Sequence, residues 1–132
     1  MNKRITAGAA AFALAALGFA LSPASAAVKT ADESSCGMAG AFCVGVVTDT
    51  GKVDDKSFNQ ASWEGAKAGA AKAGGFSKYI ESLDSKDYAA NIDLFASKKY
   101  NVIVTVGFLM ADATVAAAAK YPDIKFIGVD QF

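Results

Sequence analysis

The segment between positions 48 and 59 holds the densest group of side chains that could bind a ligand. It carries three carboxylates and ends with an aromatic ring beside an amide: Asp49, Asp54, Asp55, Phe58 and Asn59. A planar heterocycle could stack on the ring while its edge pairs with the amide, because an asparagine side chain both donates and accepts hydrogen bonds. The alternative is that Phe58 is the first core residue of a helix, and periodicity alone favours that alternative.

This segment does not have the spacing of a phosphate-binding loop. Five residues instead of four separate Gly45 from Gly51, and Val53 stands where such a loop has the Ser or Thr that binds magnesium. Three neighbouring carboxylates would also repel a polyphosphate, and the sequence contains no G-x-G-x-x-G motif. The charges of Asp54 and Asp55 are better explained by the positive end of a helix that starts just after them.

Two further positions follow apolar segments that are typical of buried strands. Asp130 comes directly after the segment 126–129 and could bind two neighbouring hydroxyl groups of a sugar, or it could cap a loop. Gly107 and Phe108 follow the segment 102–106. The glycine permits a close approach of the backbone, and the phenylalanine is either a second aromatic wall or part of ordinary loop packing.

No catalytic set is visible in the sequence. It has no histidine, no G-x-S-x-G elbow and no cysteine beside a base. Two thiols without a histidine also argue against a metal site. We therefore expect a protein that is not an enzyme and that uses no cofactor and no metal.

Apolar segments alternate with helical segments along the chain. The predicted strands are 42–47, 78–83, 102–106 and 125–129, and the predicted helices are 57–72, 85–98 and 111–121. The first helix is predicted to begin with a capping box formed by Ser57 and Gln60. Its inward face is predicted to be mostly small: Phe58, Ala61, Gly65, Ala66 and Gly69.

This alternation with short connections predicts an α/β fold with a doubly wound, mostly parallel sheet. Ligands bind such sheets beyond the carboxyl ends of the strands, near the point where the strand order reverses. The candidate site segments are therefore 48–59, 107–110 and 130–132.

Residues 1–26 have the layout of a secretory signal peptide. A basic start precedes an uncharged apolar run over 5–21, and the small-residue site Ala24-Ser25-Ala26 follows. The alternative, a retained membrane anchor, needs about 18 or more apolar residues and lacks such a small-residue site. We predict export to the periplasm or to the outer face of the cell membrane, an N-terminal lead over 27–41 and a domain over 42–132.

Export would place Cys36 and Cys43 in an oxidising compartment, where two nearby cysteines favour a disulfide. Closing so short a loop would contribute roughly 2–3 kcal/mol. The alternative is a lipid on Cys36, because Ser34 and Ser35 before it are small. Against it, Glu33 stands where a lipoprotein signal has an aliphatic residue.

Three stretches of sequence are specific enough to suggest a family. They are VGVVTDTGKVDDKSFNQASWEGAKAG, NVIVTVGFLMADAT and YPDIKFIGVDQF. From about Phe42 to Phe132 the chain resembles the basic membrane protein family, the substrate-binding proteins of nucleoside ABC importers. The D-D-K-S-F-N-Q and G-V-D-Q motifs carry most of this likeness. The resemblance implies a type I periplasmic-binding-protein-like fold of two lobes, a nucleoside ligand and an ABC permease as partner.

The resemblance also implies roles for individual residues. Phe58 would stack on the base, Asn59 would hydrogen-bond beside it and Asp130 would bind the ribose hydroxyls. The other expected ligand-binding residues would line or brace the first loop or border the pocket: Asp49, Asp55, Gly107 and Phe108.

Members of this family are much longer than the 132 residues of this chain. We therefore expect only the first lobe to be present, and half of a clamp should bind its ligand weakly or not at all. We expect a monomer that does not bind nucleic acid, because the sequence has no basic stripe. Membrane contact is expected only through the permease or a lipid anchor. The alternatives are a sugar or autoinducer receptor of the same fold and a secreted nucleoside-processing enzyme.

Overall fold

The computed structural model describes residues 31–132. The predicted signal peptide and the first residues of the predicted lead lie outside this part. The strands are β1 (Cys43–Thr48), β2 (Phe76–Glu81), β3 (Val102–Val106) and β4 (Lys125–Val129), and the helices are α1 (Phe58–Lys72), α2 (Tyr88–Ser97) and α3 (Ala111–Lys120). Single 3-10 turns cover Glu33–Ser35, Ser85–Asp87 and Phe108–Met110.

The four strands form one parallel sheet in the order β2-β1-β3-β4. The chain moves from β1 to β2 in one direction and then crosses to β3 on the other side of β1. The strand order therefore reverses between β1 and β3, which is where open parallel sheets bind ligands. The predicted α/β class and parallel sheet are confirmed.

The core lies on both faces of β1, whose six residues are all buried. On one face, α2 and α3 pack against the sheet through residues such as Ile92, Phe95 and Ala117. On the other face, Val44 and Val46 pack against α1. Burying a side chain of the size of Ile92 or Phe95 contributes roughly 1.5–3 kcal/mol, so this two-sided packing fixes the position of β1.

Most element boundaries agree with the sequence-based prediction, and β3 and β4 agree at both ends. The buried face of α2 is also as predicted: Tyr88, Ile92, Phe95 and Ala96. The prediction for β2 was wrong by two residues. This strand starts at Phe76 because the Phe76 N–H donates to the carbonyl of Phe42 directly after the turn that ends α1.

The prediction for the inward face of α1 holds for Ala66, which packs against the core, but not for Phe58, which is exposed. Ala61, Gly65 and Gly69 are exposed, and the buried residues of α1 are Asn59 and Ala70. The reason is that α1 lies mainly over β1 and β2. Strand β4 is correspondingly half-exposed, where a buried strand was expected.

An apolar groove of about 430 Å³ therefore remains between α1 and the outer part of the sheet. We call it the α1 groove. The sheet lines it with Val102, Val104, Ile127 and Val129, and the helix lines it with Gly65 and Gly69.

The described part of the lead is fixed to the amino end of the sheet. A disulfide joins Cys36 to Cys43, the first residue of β1, so the Cys36 sulfur is not free to carry a lipid. Glu33 forms ion pairs with Lys78 at 3.1 Å and Lys98 at 2.9 Å. The buried Tyr100 hydroxyl also donates to Glu33, at 3.0 Å. Among residues 31–132, every helix is too short or too polar to cross a membrane.

Candidate ligand-binding rim

The three segments predicted to bind a ligand meet at one edge of the sheet, which we call the rim. Thr48, the last residue of β1, pairs with Val106, which pairs with Val129 at the end of β4. The residues that follow these three strands are therefore neighbours. Because β1 and β2 are parallel, α1 must start at this same edge, so Phe58 and Asp130 lie at the same end of the sheet.

Asp49 and Gly107 are packed together at the centre of the rim. The Asp49 N–H donates to the carbonyl of Val106 at 2.9 Å, and its Oδ1 accepts from the N–H of Gly51 at 3.1 Å. Gly107 has φ +110°, and a Cβ there would overlap with the Asp49 carboxylate. Only glycine therefore permits the carboxylate to lie over this backbone.

The loop between β1 and α1 is held by side chains from three elements. The Thr48 hydroxyl donates to the carbonyl of Gly51 at 2.8 Å, and Asn59 Nδ2 donates to the carbonyl of Lys52 at 3.1 Å. From the end of β2, Glu81 accepts from the N–H of Val53 at 2.8 Å. Asn59 is only 6% exposed, so in this structure it braces the loop.

The N-terminus of α1 is capped by Asp55. Its carboxylate accepts hydrogen bonds from the backbone N–H groups of Ser57, Asn59 and Gln60, at 2.7, 3.1 and 3.1 Å. Desolvation raises the pKa of Asp55, but these three amides together bring it below its usual value. The predicted capping box was wrong, since the Ser57 side chain caps nothing and the Gln60 side chain donates to Glu64.

Two aromatic rings project from the rim. Phe58 is 61% exposed and Phe108 is 58% exposed. The interpretation of Phe58 as a core residue, which periodicity favoured, was therefore wrong. An exposed ring at the start of a helix is available for stacking on a planar ligand.

At the end of β4, Asp130 adopts a left-handed backbone conformation with φ +57° and is exposed. Aspartate tolerates this region better than most residues do. The turn directs Gln131 back over β3, where Nε2 lies 3.2 Å from the Thr105 carbonyl, the Thr105 hydroxyl and the Gly107 carbonyl. Sequence reasoning did not single out Gln131, although it belongs to the G-V-D-Q motif.

Tyr88, at the start of α2, was also not singled out. It is 3% exposed, and its hydroxyl is buried without a well-formed hydrogen bond to another residue of 31–132, although the backbone of Thr50 lies near enough to oppose the rise in its pKa. Burial raises the pKa of the Tyr88 hydroxyl, and the nearby Asp49 carboxylate raises it further. The Tyr88 ring belongs to the buried cluster that also contains Val47 of β1 and Met110 after β3. No group of three or more acidic or sulfur ligands in the described part is placed to hold a metal ion.

The rim as a whole combines exposed aromatic faces with carboxylate acceptors. Asp49 and Asp130 can accept hydrogen bonds from hydroxyl groups, and Phe58 and Phe108 offer apolar faces. This combination fits a small ligand that has a flat ring and several hydroxyls. The rim is open to solvent on the side away from the sheet.

Comparison with known proteins agrees with this architecture. Residues 42–132 match the family model Bmp, described as "ABC transporter substrate-binding protein PnrA-like". The "ABC transporter nucleoside-binding protein BmpA" of Lactococcus lactis subsp. cremoris is 37% identical over 89 residues, which cover 64% of this chain and 25% of that protein. The "CD4+ T-cell-stimulating antigen" of Listeria monocytogenes is 37% identical over 95 residues, 67% of this chain and 26% of that protein.

A solved ABC transporter solute-binding protein from Aeropyrum pernix K1 has a similar fold. It superposes with a TM-score of 0.58 and 27% identity over 66% of this chain and 24% of that chain. The chain thus spans about a quarter of the length of the curated relatives and of the solved structure that it matches.

Proposed function

Since this chain belongs to the Bmp family of PnrA-like ABC transporter substrate-binding proteins, we propose that its rim forms one side of a purine nucleoside site. The family consists of substrate-binding proteins and not of enzymes, which agrees with the prediction from the sequence. The observation that carries the proposal is the exposed Phe58 ring at the same edge of the sheet as Asp130. The name of the Lactococcus relative, a nucleoside-binding protein, supports the choice of ligand.

The proposed roles follow from exposure and hydrogen-bonding capacity. Phe58 stacks on the base, and Phe108 borders it from the end of β3. Asp130 accepts hydrogen bonds from the ribose hydroxyls, because it is exposed at the end of β4 and its carboxylate can accept several hydrogen bonds. Asp49 lines the centre of the rim, while Asp55 and Asn59 hold the loop and the helix that present Phe58.

The proposed setting is outside the cytoplasmic membrane, where the chain would serve an ABC permease as a monomer. The predicted signal peptide and the Cys36–Cys43 disulfide both fit an oxidising, extracytoplasmic compartment. With Cys36 in that disulfide, we propose that the chain carries no lipid at this cysteine.

Ligand-observed NMR with millimolar inosine tests the proposal, because saturation transfer detects weak binding. We expect transfer from the chain to the purine protons and its loss in Phe58→Ala. The matched control is Leu94→Ala, which removes a similarly exposed apolar side chain (53%) from α2. Free ribose is measured alongside.

The comparison with ribose separates the competing functions. Equal transfer to ribose and inosine, unchanged by Phe58→Ala, would favour a sugar receptor of the same fold and refute the nucleoside proposal. If Leu94→Ala also abolishes the saturation transfer to inosine, the signal does not come from the rim.

A further inference from the structure

We infer that Tyr88 is a positioning residue of the rim, whose hydroxyl donates a hydrogen bond to the Asp49 carboxylate once a ligand covers that carboxylate. The inference rests on the proposed function, because it takes Asp49 to be covered by the bound nucleoside. It goes beyond that function because it gives a role in binding to a buried side chain that the ligand does not touch.

Tyr88 and Asp49 lie on the same face and at the same end of the sheet. Tyr88 and Val47 belong to one buried cluster, on the face that α2 and α3 cover. Asp49 follows Val47 by two residues, and its N–H continues the pairing of β1 with β3 at the Val106 carbonyl. Side chains two residues apart on an extended strand point to the same face. Since α2 begins at Tyr88, soon after the carboxyl end of the parallel strand β2, Tyr88 lies at the rim.

The contact between Asp49 and Gly107 connects the carboxylate with the same cluster. Asp49 lies over the backbone of Gly107, whose carbonyl accepts from the N–H of Met110 at 3.1 Å. Met110 is fully buried in the cluster that contains Tyr88. The ends of β1 and β3 therefore both bring Asp49 towards Tyr88. The pKa of the Tyr88 hydroxyl agrees with this placement, since burial raises it and the Asp49 charge raises it further.

The hydroxyl of Tyr88 has a proton that no acceptor uses. It forms no well-formed hydrogen bond with another residue of 31–132. The backbone of Thr50 lowers the pKa of this hydroxyl, as a neighbouring N–H does. An N–H can only donate, so the proton of the hydroxyl still lacks an acceptor. A buried donor without an acceptor destabilises a protein, which makes a role in another state of the site the better explanation for it.

Asp49 is the carboxylate best placed to accept this proton. Its Oδ1 accepts from the Gly51 N–H at 3.1 Å, and a carboxylate has about four acceptor positions. Asp84 influences the Tyr88 hydroxyl less, and its carboxylate already accepts from the Lys86 N–H at 3.0 Å. Asp49 is half-buried, so solvent reaches it in the ligand-free protein. A nucleoside above it would exclude that solvent, and a desolvated carboxylate needs donors from the protein.

The substitution Tyr88→Phe tests the inference, because it removes only the hydroxyl group. At a fixed inosine concentration below the dissociation constant, saturation transfer from the full chain should fall about three- to tenfold. The melting temperature should not fall, since the hydroxyl has no well-formed hydrogen bond to lose. A purely structural role of Tyr88 gives the reverse pattern, with a lower melting temperature and unchanged transfer.

The matched control is Tyr100→Phe. Tyr100 is also buried, at 1% exposed, but its hydroxyl donates to Glu33 at 3.0 Å at the opposite end of the sheet. This variant should have a lower melting temperature and unchanged transfer to inosine. Asp49→Asn then completes a double-mutant cycle. If Tyr88 acts through Asp49, Tyr88→Phe should reduce the transfer little further in the Asp49→Asn background.

The possible outcomes separate this inference from the nucleoside proposal. Unchanged transfer in Tyr88→Phe overturns the inference, and the nucleoside proposal stands if Phe58→Ala still abolishes transfer. If Tyr88→Phe lowers both the melting temperature and the transfer, the cycle decides, because an equal loss in both backgrounds overturns the inference. An absence of transfer to inosine in the unsubstituted chain overturns both.

Discussion

The backbone of Gly107 lies against the carboxylate of Asp49, so closely that any Cβ at position 107 would overlap with it. This contact joins the end of β3 to the end of β1 at the point where the strand order reverses. The contact also orients the Asp49 carboxylate along the rim. The geometry of the proposed site therefore depends on the absence of a side chain at position 107.

Gly107→Ala should therefore destabilise the protein more than an ordinary loop substitution. We expect a loss of about 2–4 kcal/mol, which combines an unfavourable backbone conformation with overpacking against Asp49. Gly74→Ala is the control, since Gly74 also has a positive φ of +65° but open space around it. Urea unfolding measures both. Equal losses for the two variants would mean that Asp49 moves aside without cost.

Asp55→Ala should lower the melting temperature by about 5 °C, because three amides at the start of α1 lose their acceptor. Asp54→Ala removes the neighbouring charge but none of these hydrogen bonds. Calorimetry of the two variants separates the capping effect from the effect of charge. A matching drop in Asp54→Ala would contradict the capping role.

Because of Glu33, the free energy of unfolding should decrease at low pH. The hydrogen-bonded ion pair with Lys98 lowers the pKa of Glu33 to about 2, and Lys78 and Tyr100 lower it as well. Desolvation acts in the opposite direction but is outweighed. A lowered pKa contributes stability that is complete above the ordinary value of 4.5 and is lost as the pH falls towards 2. Because these lysines are partly exposed, we expect a loss of only about 1 kcal/mol. Unfolding of Glu33→Gln between pH 6 and pH 2 should lack this component.

Reduction of the Cys36–Cys43 disulfide should cost roughly 2–3 kcal/mol, from the entropy of a loop that spans a sequence separation of 7. Chemical denaturation with and without dithiothreitol measures this difference. The doubly substituted Cys36→Ser/Cys43→Ala variant should have the stability of the reduced protein and show no response to the reductant. A reductant effect that persists in this variant would point to another cause.

Residues 27–132 alone should bind inosine no better than about millimolar. One stacking face contributes roughly 1–3 kcal/mol, whereas a micromolar complex needs about 8 kcal/mol. Asp130 adds a similar amount to the stacking, before the cost of association is subtracted. Isothermal titration calorimetry that gave a micromolar constant would contradict this estimate.

The order of the elements could be predicted from the sequence because each β-branched run is followed by a helical pattern. The segment Val102–Val106 and the helix that follows it, Ala111–Lys120, show this most clearly. The same periodicity misplaced Phe58 and most of the small residues of α1. A pattern of apolar positions shows that a helix has an apolar side, but not whether the fold provides a neighbour to cover it.

The contacts that hold the loop of the site and the lead in place could be predicted only in part. The D-D-K-S-F-N-Q motif indicated the loop, but it contains two residues that could cap the helix, Asp55 and Ser57. The choice of Asp55 over Ser57 depends on the left-handed turn at Lys56, with φ +55°. The contacts of Glu33 with Lys78 and Tyr100 span 45 and 67 residues, so no local pattern could have revealed them.

The position of the lead has a mechanical consequence. A pull on the residues before Glu33 would reach the domain through ion pairs at the foot of β2 and β3 and then through a covalent bond to the first residue of β1. That load enters at the end of the sheet farthest from Phe58 and Asp130. A displacement of the lead would therefore act on the end of the sheet opposite to the proposed site.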